Sequence, residues 1–489
     1  MNFFRSSSVP RHTSPAITCA LFALTVGLCA HASAASFQGL GVGPPGITSV
    51  QSGARAASAD GSAVTGEYWQ PDGGFFHRRG FRWTAATGMQ DIGVLDPAAP
   101  EVQPLAISGD GSTIVGWARG VSGFQRPFLW TAAGGMHELG NVPGTDAVAT
   151  GVSRDGRVVV GYYLDGRYHG FRWSGGATTD LGLLPGASDT FVRGACGLGD
   201  AAVGSTQTAG GRAFRWRAAS GLQELPPLRA GALAYAEACS DSGNVAVGSS
   251  GDGKGQPPAR WDTNGVRNLG TLGGNSGEAH GVSADGAVVV GAAGLPFVNG
   301  VSDFAAFRWT TATGKIEQLS KFLERIGVSG PFCHDPLTCP AGTWFLQLAL
   351  GISADGNVVV GQGLNPNDQW EAFRAVTTGT GGGGGTGTGA CAAGFTQLTL
   401  TVSTASGAAS GTVTSKQTSS TGSALVVSSG QTGSACFQSN KTIMLQALNS
   451  RLANWSGAPA ITCKNGNTAQ NQCEFVLGTA SQSAAATLR

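Results

Sequence analysis

The chain has 489 residues, of which 79 are glycine and only 12% are charged, and its formal net charge at pH 7 is +1. Because binding to phosphates requires clustered lysine and arginine side chains, this composition disfavours a nucleic-acid partner. The aromatic and valine-rich segments that recur along the chain argue against disorder and predict packed β-strands.

The first 34 residues are typical of a secretory signal peptide. Arg5 and Arg11 precede an apolar run over residues 16–30, and Ala32-Ser-Ala34 has the small-x-small form of a signal peptidase site. The run is too short to form a stable membrane anchor. We therefore expect cleavage near Ala34 and a mature protein without a membrane span, located outside the cell, in a periplasm or at the cell surface.

Residues 35–376 repeat one motif seven times. The clearest copy contains Gly151-Val-Ser-Arg-Asp-Gly-Arg-Val-Val-Val-Gly161, then Gly170-Phe-Arg-Trp173, and then Asp180-Leu-Gly-Leu-Leu-Pro-Gly186. The glycine that ends the first segment recurs every 43 to 50 residues, apart from one longer final step, which is the spacing expected for four-stranded propeller blades. These glycines are Gly66, Gly116, Gly161, Gly204, Gly248, Gly291 and Gly361.

Each copy predicts four strands. Asp155-Gly156 favours a tight turn that leads into the β-branched run Val158–Val160, and alternating Phe171-Arg-Trp173 predicts the third strand. The segment from Leu181 to Leu183 supplies the fourth. A lone sheet of this kind has two apolar faces, so it must stack on its copies, and we expect the Phe and Trp rings to pack between blades.

The Asp-Gly pairs allow two interpretations, a turn signal or a set of calcium ligands. Each aspartate lacks the neighbouring carboxylates of a calcium loop, so turn chemistry is favoured. The aspartates are Asp60, Asp110, Asp155, Asp285 and Asp355.

The two ends of the repeat array complement each other. The last copy stops after Phe373-Arg374 and lacks its Asp-Leu-Gly strand, whereas the mature N-terminus, from Phe37 to Gly46, reads like that missing segment. We expect the N-terminal strand to complete the last blade and so to remove two unpaired sheet edges.

A second module follows the repeats. Residues 377–390 form a Gly/Thr-rich linker, and residues 391–489 predict a C-terminal β domain. Its predicted strands are Leu398–Val402, Ala424–Val427, Thr442–Leu445 and Cys473–Leu477. The predicted fold class is therefore all-β, a seven-bladed β-propeller closed by the N-terminal strand and followed by a small β-rich domain.

The mature chain keeps an even number of cysteines, which in an exported protein predicts a disulfide framework. They are Cys196, Cys239, Cys333, Cys339, Cys391, Cys436, Cys463 and Cys473. Cys196 and Cys239 occupy equivalent positions in neighbouring copies, so we expect them to bridge two blades. Cys333 with Cys339, and Cys463 with Cys473, are the other expected pairs. The spacing is not that of a metal site, and none is predicted.

The Gly-Val-Ser-x-Asp-Gly, Phe-Arg-Trp and Asp-Leu-Gly elements resemble the extracellular HAF-type repeats of bacteria over roughly residues 37–376. The Phe of the His-Ala-Phe signature matches Phe81, Phe128, Phe171, Phe214, Phe307 and Phe373. The resemblance implies a secreted or cell-surface protein without a general catalytic assignment. Leu452-Ala-Asn-Trp-Ser-Gly457 resembles part of a divergent internalin-type B repeat.

No catalytic motif stands out. The sequence lacks the Gly-x-Ser-x-Gly nucleophile elbow, the His-Glu-x-x-His zinc motif, a P-loop and a dinucleotide fingerprint, so neither catalytic residues nor cofactors are predicted.

Variable loops mark one face as the candidate binding face. The loops between second and third strands differ in length, as does the insertion over 320–348, and in a propeller these loops share one face. Aromatic residues stand at the ends of several second strands on this face, and polar side chains follow them in the adjoining loops. The candidate ligand-binding residues are Tyr68, Trp69, Trp117, Tyr162 and Tyr163, with His77, Arg79, Arg119, Arg167 and His169. The alternative is that these rings pack between blades.

These observations favour a secreted, monomeric, non-enzymatic repeat protein that binds a polysaccharide or an extracellular protein through one propeller face. One alternative is an extracellular polysaccharide hydrolase or lyase with its site on that face, and another is a purely structural envelope protein. Converging carboxylates, or a histidine paired with a carboxylate in the channel, would favour the enzyme.

Overall fold

A computed structural model describes residues 35–207, 210–297 and 303–377 in full, and the backbone of nine strands between Phe395 and Leu488. In the described part of 35–377 the chain forms seven sheets around a common axis. Strand β1 (Ser36–Gly39) precedes the first blade. The strands of blades one to three are β2 (Gln51–Ala57), β3 (Ala63–Asp72), β4 (Phe75–Thr84), β5 (Gly88–Asp91), β6 (Val102–Ile107), β7 (Thr113–Arg119), β8 (Gln125–Thr131), β9 (Gly135–Glu138), β10 (Ala147–Val152), β11 (Val158–Asp165), β12 (Arg167–Ser174) and β13 (Ala177–Asp180).

Blades four to six repeat the same antiparallel order. Their strands are β14 (Phe191–Cys196), β15 (Ala201–Ser205), β16 (Ala213–Arg217), β17 (Gly221–Glu224), β18 (Ala234–Cys239), β19 (Ala246–Ser250), β20 (Pro258–Asp262), β21 (Gly265–Asn268), β22 (Gly277–Val282), β23 (Val288–Gly294), β24 (Phe304–Thr310) and β25 (Ile316–Gln318). Helix α1 (Leu319–Arg325) follows, and blade seven contains β26 (Phe332–Cys333), β27 (Trp344–Ile352), β28 (Val358–Leu364) and β29 (Trp370–Val376).

The N-terminal strand completes blade seven, as the sequence predicts. Strand β1 pairs antiparallel with β29, with Phe37 opposite Ala375 and Gly39 opposite Phe373. The Phe37 ring lies 4.9 Å from the ring centroid of Phe332 and 5.1 Å from that of Trp344. These contacts close the ring and pair a strand edge that would otherwise be open.

The first strands of the blades line the axis. They contact one another in the closed order β2, β6, β10, β14, β18, β22, β27 and back to β2. The turns after them lie on one face, the turn face. The loops between second and third strands, and those between blades, lie on the opposite face, the loop face.

A serine and an aspartate organise the turn after the first strand. In blade three, the Ser153 hydroxyl donates to Asp155 Oδ1 at 2.6 Å and accepts the Val158 N–H at 2.9 Å, while Gly156 adopts a φ of 73°. The bond from Ser153 holds the pKa of Asp155 below its usual value. The same serine–aspartate bond recurs from Ser58, Ser108, Ser283 and Ser353. The geometry supports the turn interpretation of these aspartates.

The aromatic repeat position fills the space between blades, as predicted. The Phe rings are fully buried at Phe81, Phe128, Phe171, Phe214, Phe307 and Phe373. The tryptophan two residues later is half-buried at Trp173, whose indole N–H donates to the carbonyl of Gly140. It is buried at Trp83, Trp216, Trp261 and Trp309.

Backbone bonds join consecutive turns on the turn face. They run from Ala59 to Gly109, Gly109 to Arg154, Arg154 to Gly197, Asp241 to Ala284, Ala284 to Ala354 and Ala354 to Ala59. Among the described residues the step from blade four to blade five lacks such a bond, and the predicted Cys196–Cys239 disulfide joins the blades there. The predicted Cys333–Cys339 disulfide is also present.

Residues 395–488 form two further sheets. Their strands are β30 (Phe395–Thr404), β31 (Thr412–Thr418), β32 (Ala424–Ser428), β33 (Thr432–Gln438), β34 (Thr442–Leu448), β35 (Leu452–Ser456), β36 (Thr462–Lys464), β37 (Gln472–Val476) and β38 (Gln482–Leu488). One sheet has the order β33-β30-β38-β35 and the other β32-β31-β34-β37-β36. Cys463 stands opposite Cys473 in the strand register, and their disulfide stays a prediction.

Residues 1–34 and 378–394 lie outside the described part of the chain, so the predicted signal peptide, most of the linker and Cys391 fall there. Within the part that the structure describes, no helix has both the length and the apolar character needed to cross a membrane.

Candidate functional site

Exposed apolar side chains concentrate on the loop face. Of the ten large hydrophobic side chains that are exposed among the described residues, nine belong to loops or hairpin ends of this face, and Leu198 belongs to the turn face. The nine are Val50, Phe75, Phe76, Val121, Phe124, Tyr168, Leu233, Phe297 and Leu337. An uneven distribution of this kind is typical of an interaction surface.

A cleft opens on this face over blades two to four. Its volume is about 530 Å³, and we refer to it as the aromatic cleft. Its aromatic lining consists of Phe124, Tyr162, Tyr168 and Phe191. Of the residues that the sequence singled out, Tyr162 and Arg119 lie in this lining.

Three of the rings form one contact group. The Tyr168 and Phe191 centroids are 4.6 Å apart, and the Tyr162 centroid is 5.0 Å from Phe191 and 5.8 Å from Tyr168. The Arg193 guanidinium lies 5.9 Å from the Phe191 centroid. Burial raises the pKa of Tyr162, so its hydroxyl is neutral and both donates and accepts at ordinary pH. Such a group presents apolar ring surface beside hydroxyls.

Polar side chains complete the cleft. Arg119 is held by Glu101 at 3.1 Å and donates to the Gly123 carbonyl at 2.7 Å. Asp146 Oδ1 accepts the backbone N–H of Gln125 at 2.9 Å. These side chains are fixed by neighbours yet belong to the cleft wall, which is the arrangement that orients a polar ligand.

Two predicted ligand tyrosines lie in the protein interior. Tyr68 is fully buried and its hydroxyl donates to Asp91 at 2.5 Å, while Arg79 binds the other oxygen of that carboxylate at 2.9 Å. Tyr163 is 6% exposed and stacks on His169, with centroids 5.0 Å apart. Their rings are not exposed to solvent, so these two tyrosines fit the alternative interpretation that the rings pack within the protein.

The tryptophans of blades one and two also pack against protein. Arg78 lies over Trp69, 4.8 Å from its centroid, and 5.8 Å from that of Trp117. The buried Trp117 indole donates to Gln103 at 2.9 Å. His77 is 3.8 Å from Asp72. Arg167 is exposed and stands opposite Asp165 in the strand register at the tip of a hairpin. None of these residues lines the aromatic cleft.

In four blades a basic residue at or just before the start of the third strand, or within it, forms an ion pair with an acidic residue of the fourth strand. The basic residue stands two positions before the buried Phe of the repeat. The pairs are Arg79–Asp91, Arg126–Glu138, His169–Asp180 and Arg212–Glu224, at 2.9, 2.7, 2.7 and 2.8 Å. Arg79 and His169 therefore have a structural partner within their own blade.

A ring of residues in the channel was missed by sequence reasoning. Each first strand has a β-bulge at the same repeat position. The bulged residue lies three residues before the serine of the first turn, a position that holds Cys196 in blade four. We call these seven residues the bulge ring, namely Arg55, Leu105, Thr150, Arg193, Glu237, His280 and Leu350. The constant spacing before the serine was the available signal.

The charged residues of the bulge ring interact with one another and with two neighbouring glutamates. Arg55 binds Glu67 through both carboxylate oxygens at 2.9 Å. Burial, together with the charge of Glu278, raises the pKa of Glu237 to about 7, against the opposing effect of Arg193 at 4.0 Å. Burial and the charge of Arg55 lower the pKa of His280 to about 4.

A serine, a histidine and a glutamate also form a hydrogen-bonded chain in the insertion. Ser320 Oγ is 2.9 Å from Nδ1 of His334, whose Nε2 is 3.1 Å from Glu324. Ser320 is only 1% exposed, and Gln318 fixes the His334 carbonyl. A substrate has no access to this serine, so the chain clamps helix α1 to the loop closed by the Cys333–Cys339 disulfide.

Among known proteins, similar chains are found in solved structures at low identity, and none of them identifies a family for this chain. No protein-family model matches the chain, and no curated protein matches it. Among solved structures, TolB from Acinetobacter baumannii is 12% identical, with a TM-score of 0.36, covering 69% of this chain and 66% of that one. A putative TolB from Agrobacterium tumefaciens is 14% identical, with a TM-score of 0.34, covering 67% and 91%. The propeller domain of the Trilobed protease from Pyrococcus furiosus is 10% identical, with a TM-score of 0.44, covering 67% and 96%.

Proposed function

We propose that this propeller is an extracytoplasmic binding protein that holds a polysaccharide in the aromatic cleft. The observation that carries the proposal is the contact group of Tyr162, Tyr168 and Phe191 in a cleft of about 530 Å³. Apolar faces of sugar rings pack on aromatic rings, and sugar hydroxyls bind fixed polar groups such as Arg119 and Asp146. An extended polymer also fits a cleft that is open at the surface.

An oxidising compartment is part of the proposal. The two disulfides and the secretory character of residues 1–34 support export, because disulfides persist mainly outside the cytoplasm. The resemblance to HAF-type repeats supports the same location. The residues after 377 then belong to a separate C-terminal domain, for which we propose a spacer or adhesive role.

The experiment is a glycan array on the mature protein, followed by titration of the best polymer against two variants. Tyr168→Ala removes a ring of the cleft that is 36% exposed. We expect about tenfold weaker binding, since an aromatic contact contributes about 0.5–1.5 kcal/mol beyond its buried area. Phe76→Ala is the matched control, an exposed ring on the same face in blade one.

Equal affinity of wild type and Tyr168→Ala for that polymer would contradict the proposal, as would equal losses in the two variants. Screening the same polymers for released oligosaccharides distinguishes a binding protein from the alternative of a hydrolase or lyase on this face. Polymer cleavage that Tyr168→Ala abolishes would replace the non-enzymatic proposal.

A further inference from the structure

A second cavity adjoins the aromatic cleft on the loop face. Its volume is about 460 Å³, against about 530 Å³ for the cleft. Phe124 lines both cavities, and this residue is 45% exposed. The hairpin over 119–126 and the segment over 144–146 contribute residues to both walls. The two cavities therefore meet at Phe124, and one extended ligand can enter both.

The second cavity offers apolar surface beside polar groups, as the cleft does. Val121 and Phe124 are exposed and supply the apolar surface. Arg126 Nε donates to Glu138 Oε1 at 2.7 Å, and Arg126 Nη1 donates to the Gly144 carbonyl at 3.0 Å. Among the described residues, Nη2 of Arg126 and Oε2 of Glu138 have no hydrogen-bond partner. The pair therefore keeps donors and an acceptor for a ligand hydroxyl, which both donates and accepts.

The charges on the walls of the two cavities disfavour an acidic ligand. Arg119 pairs with Glu101 at 3.1 Å, and Arg126 pairs with Glu138 at 2.7 Å, so both guanidinium groups already have a carboxylate partner. Asp146 lines the cleft and forms no ion pair within the part of the chain that the structure describes. An acidic polymer would find no unpaired cation on these walls and would be repelled by Asp146. An uncharged polymer avoids both costs.

We propose that the polysaccharide is uncharged and that it extends from the aromatic cleft past Phe124 into the second cavity. This extension rests on the proposed function, because it assigns the second cavity to further sugar units of the same chain. The rings of blades three and four hold one part of the chain. The Arg126–Glu138 pair of blade two binds hydroxyls of the next part.

The glycan array tests the charge of the polymer. It carries uncharged glucans, xylans, mannans and galactans beside polygalacturonate and alginate, which are acidic. We expect the strongest binder to be one of the uncharged polymers. Carboxymethylation adds negative charge to that same polymer and should weaken its binding at least tenfold.

The length of the bound chain tests the second cavity. Oligosaccharides of two and six units, prepared from the strongest uncharged polymer, are titrated calorimetrically against the full mature protein. The two-unit probe fits within the aromatic cleft, whereas the six-unit probe reaches past Phe124. We expect the six-unit probe to bind at least tenfold more tightly, because it contacts both cavities.

Ser122→Trp separates the second cavity from the cleft. Ser122 is exposed in the loop between β7 and β8 and lines the second cavity, so the indole occupies that space without entering the protein core. Six-unit binding should fall to nearly the affinity of the two-unit probe, and two-unit binding should be unchanged. Asn367→Trp is the matched control, the same replacement at an exposed loop position of blade seven, and should leave both affinities unchanged.

The outcomes separate this extension from the proposed function. An acidic polymer as the strongest binder, or undiminished binding after carboxymethylation, would contradict an uncharged ligand. Equal affinity for the two probes, or wild-type affinity of Ser122→Trp for the six-unit probe, would remove the second cavity from the site. In each of these cases Tyr168→Ala still tests the cleft independently. Absence of binding to every polymer on the array overturns both proposals together.

Discussion

At the residue scale, one serine per blade explains why the first turn is so regular. The Ser108 hydroxyl is completely buried, donates to Asp110 at 2.6 Å and accepts the Thr113 N–H at 2.9 Å. It satisfies a backbone donor that burial has removed from water, and it orients the aspartate that caps the turn. The short Asp-Gly signal in the sequence therefore predicts this turn correctly.

Ser108→Ala should destabilise the protein by about 1–3 kcal/mol, because the substitution leaves a buried N–H without its acceptor. Ser112→Ala in the same turn removes an exposed hydroxyl that bonds Asp110 and, at 3.5 Å, the Thr113 hydroxyl, and we expect a change close to zero. Urea unfolding of the two variants measures both free energies of unfolding. Equal losses would show that the buried hydroxyl has no special role.

The channel residues show what sequence reasoning misses at this scale. The bulge position holds a different kind of residue in most blades, for example Thr150, Arg193 and Glu237. A repeat is recognised by its constant positions, so a variable position within it attracts no notice. The aromatic candidates Tyr68 and Tyr163 were conspicuous for the opposite reason, and both rings contribute to packing.

At the scale of elements, the contact between blades four and five differs from the others. The other consecutive turns are joined by backbone hydrogen bonds, whereas here the Cys196–Cys239 disulfide connects the two first strands. The sequence predicted the bridge correctly from an assumed equivalence of the two cysteines, although the strand register makes Ser240, one residue after Cys239, the equivalent of Cys196. The structure of the insertion over 320–348 was harder to predict, because helix α1 and strand β26 have no counterpart in the other copies.

Replacing Cys196 and Cys239 together with serine should lower the free energy of unfolding by about 4 kcal/mol, on the chain-entropy estimate for a loop of 43 residues. The Cys333–Cys339 disulfide closes a loop of only 6 residues. Replacing both of its cysteines with serine should therefore lower the free energy of unfolding by about 2 kcal/mol. Guanidinium unfolding of both variants provides the comparison. A larger loss from the short loop would refute the inter-blade role.

At the scale of the whole molecule, closure by the N-terminal strand makes seven separate sheets into one ring. The side chain of Phe37 packs between Phe332, Trp344 and Phe373, and the Arg374 guanidinium donates to the Gly61 carbonyl of blade one. The sequence predicted this closure because the strand missing from the last copy appears at the mature N-terminus. A rigid ring in turn gives the variable loops a fixed common face.

Phe37→Ala should cost roughly 2–4 kcal/mol, somewhat less than the loss for a fully buried Phe, because this ring is half-buried. Gln38→Ala, on the exposed side of the same strand, should be close to neutral. Differential scanning calorimetry should show one transition that shifts down for Phe37→Ala alone. Two separate transitions in the wild-type propeller would contradict cooperative closure.

The central claim is that the loop face of blades two to four binds a polysaccharide, and hydrogen–deuterium exchange with the best ligand from the glycan array tests it most directly. The account predicts protection of backbone amides around Arg119–Gln125, Tyr162–Tyr168 and Phe191 when the ligand is bound. Protection confined to the turn face, or to strands after Phe395, would contradict it.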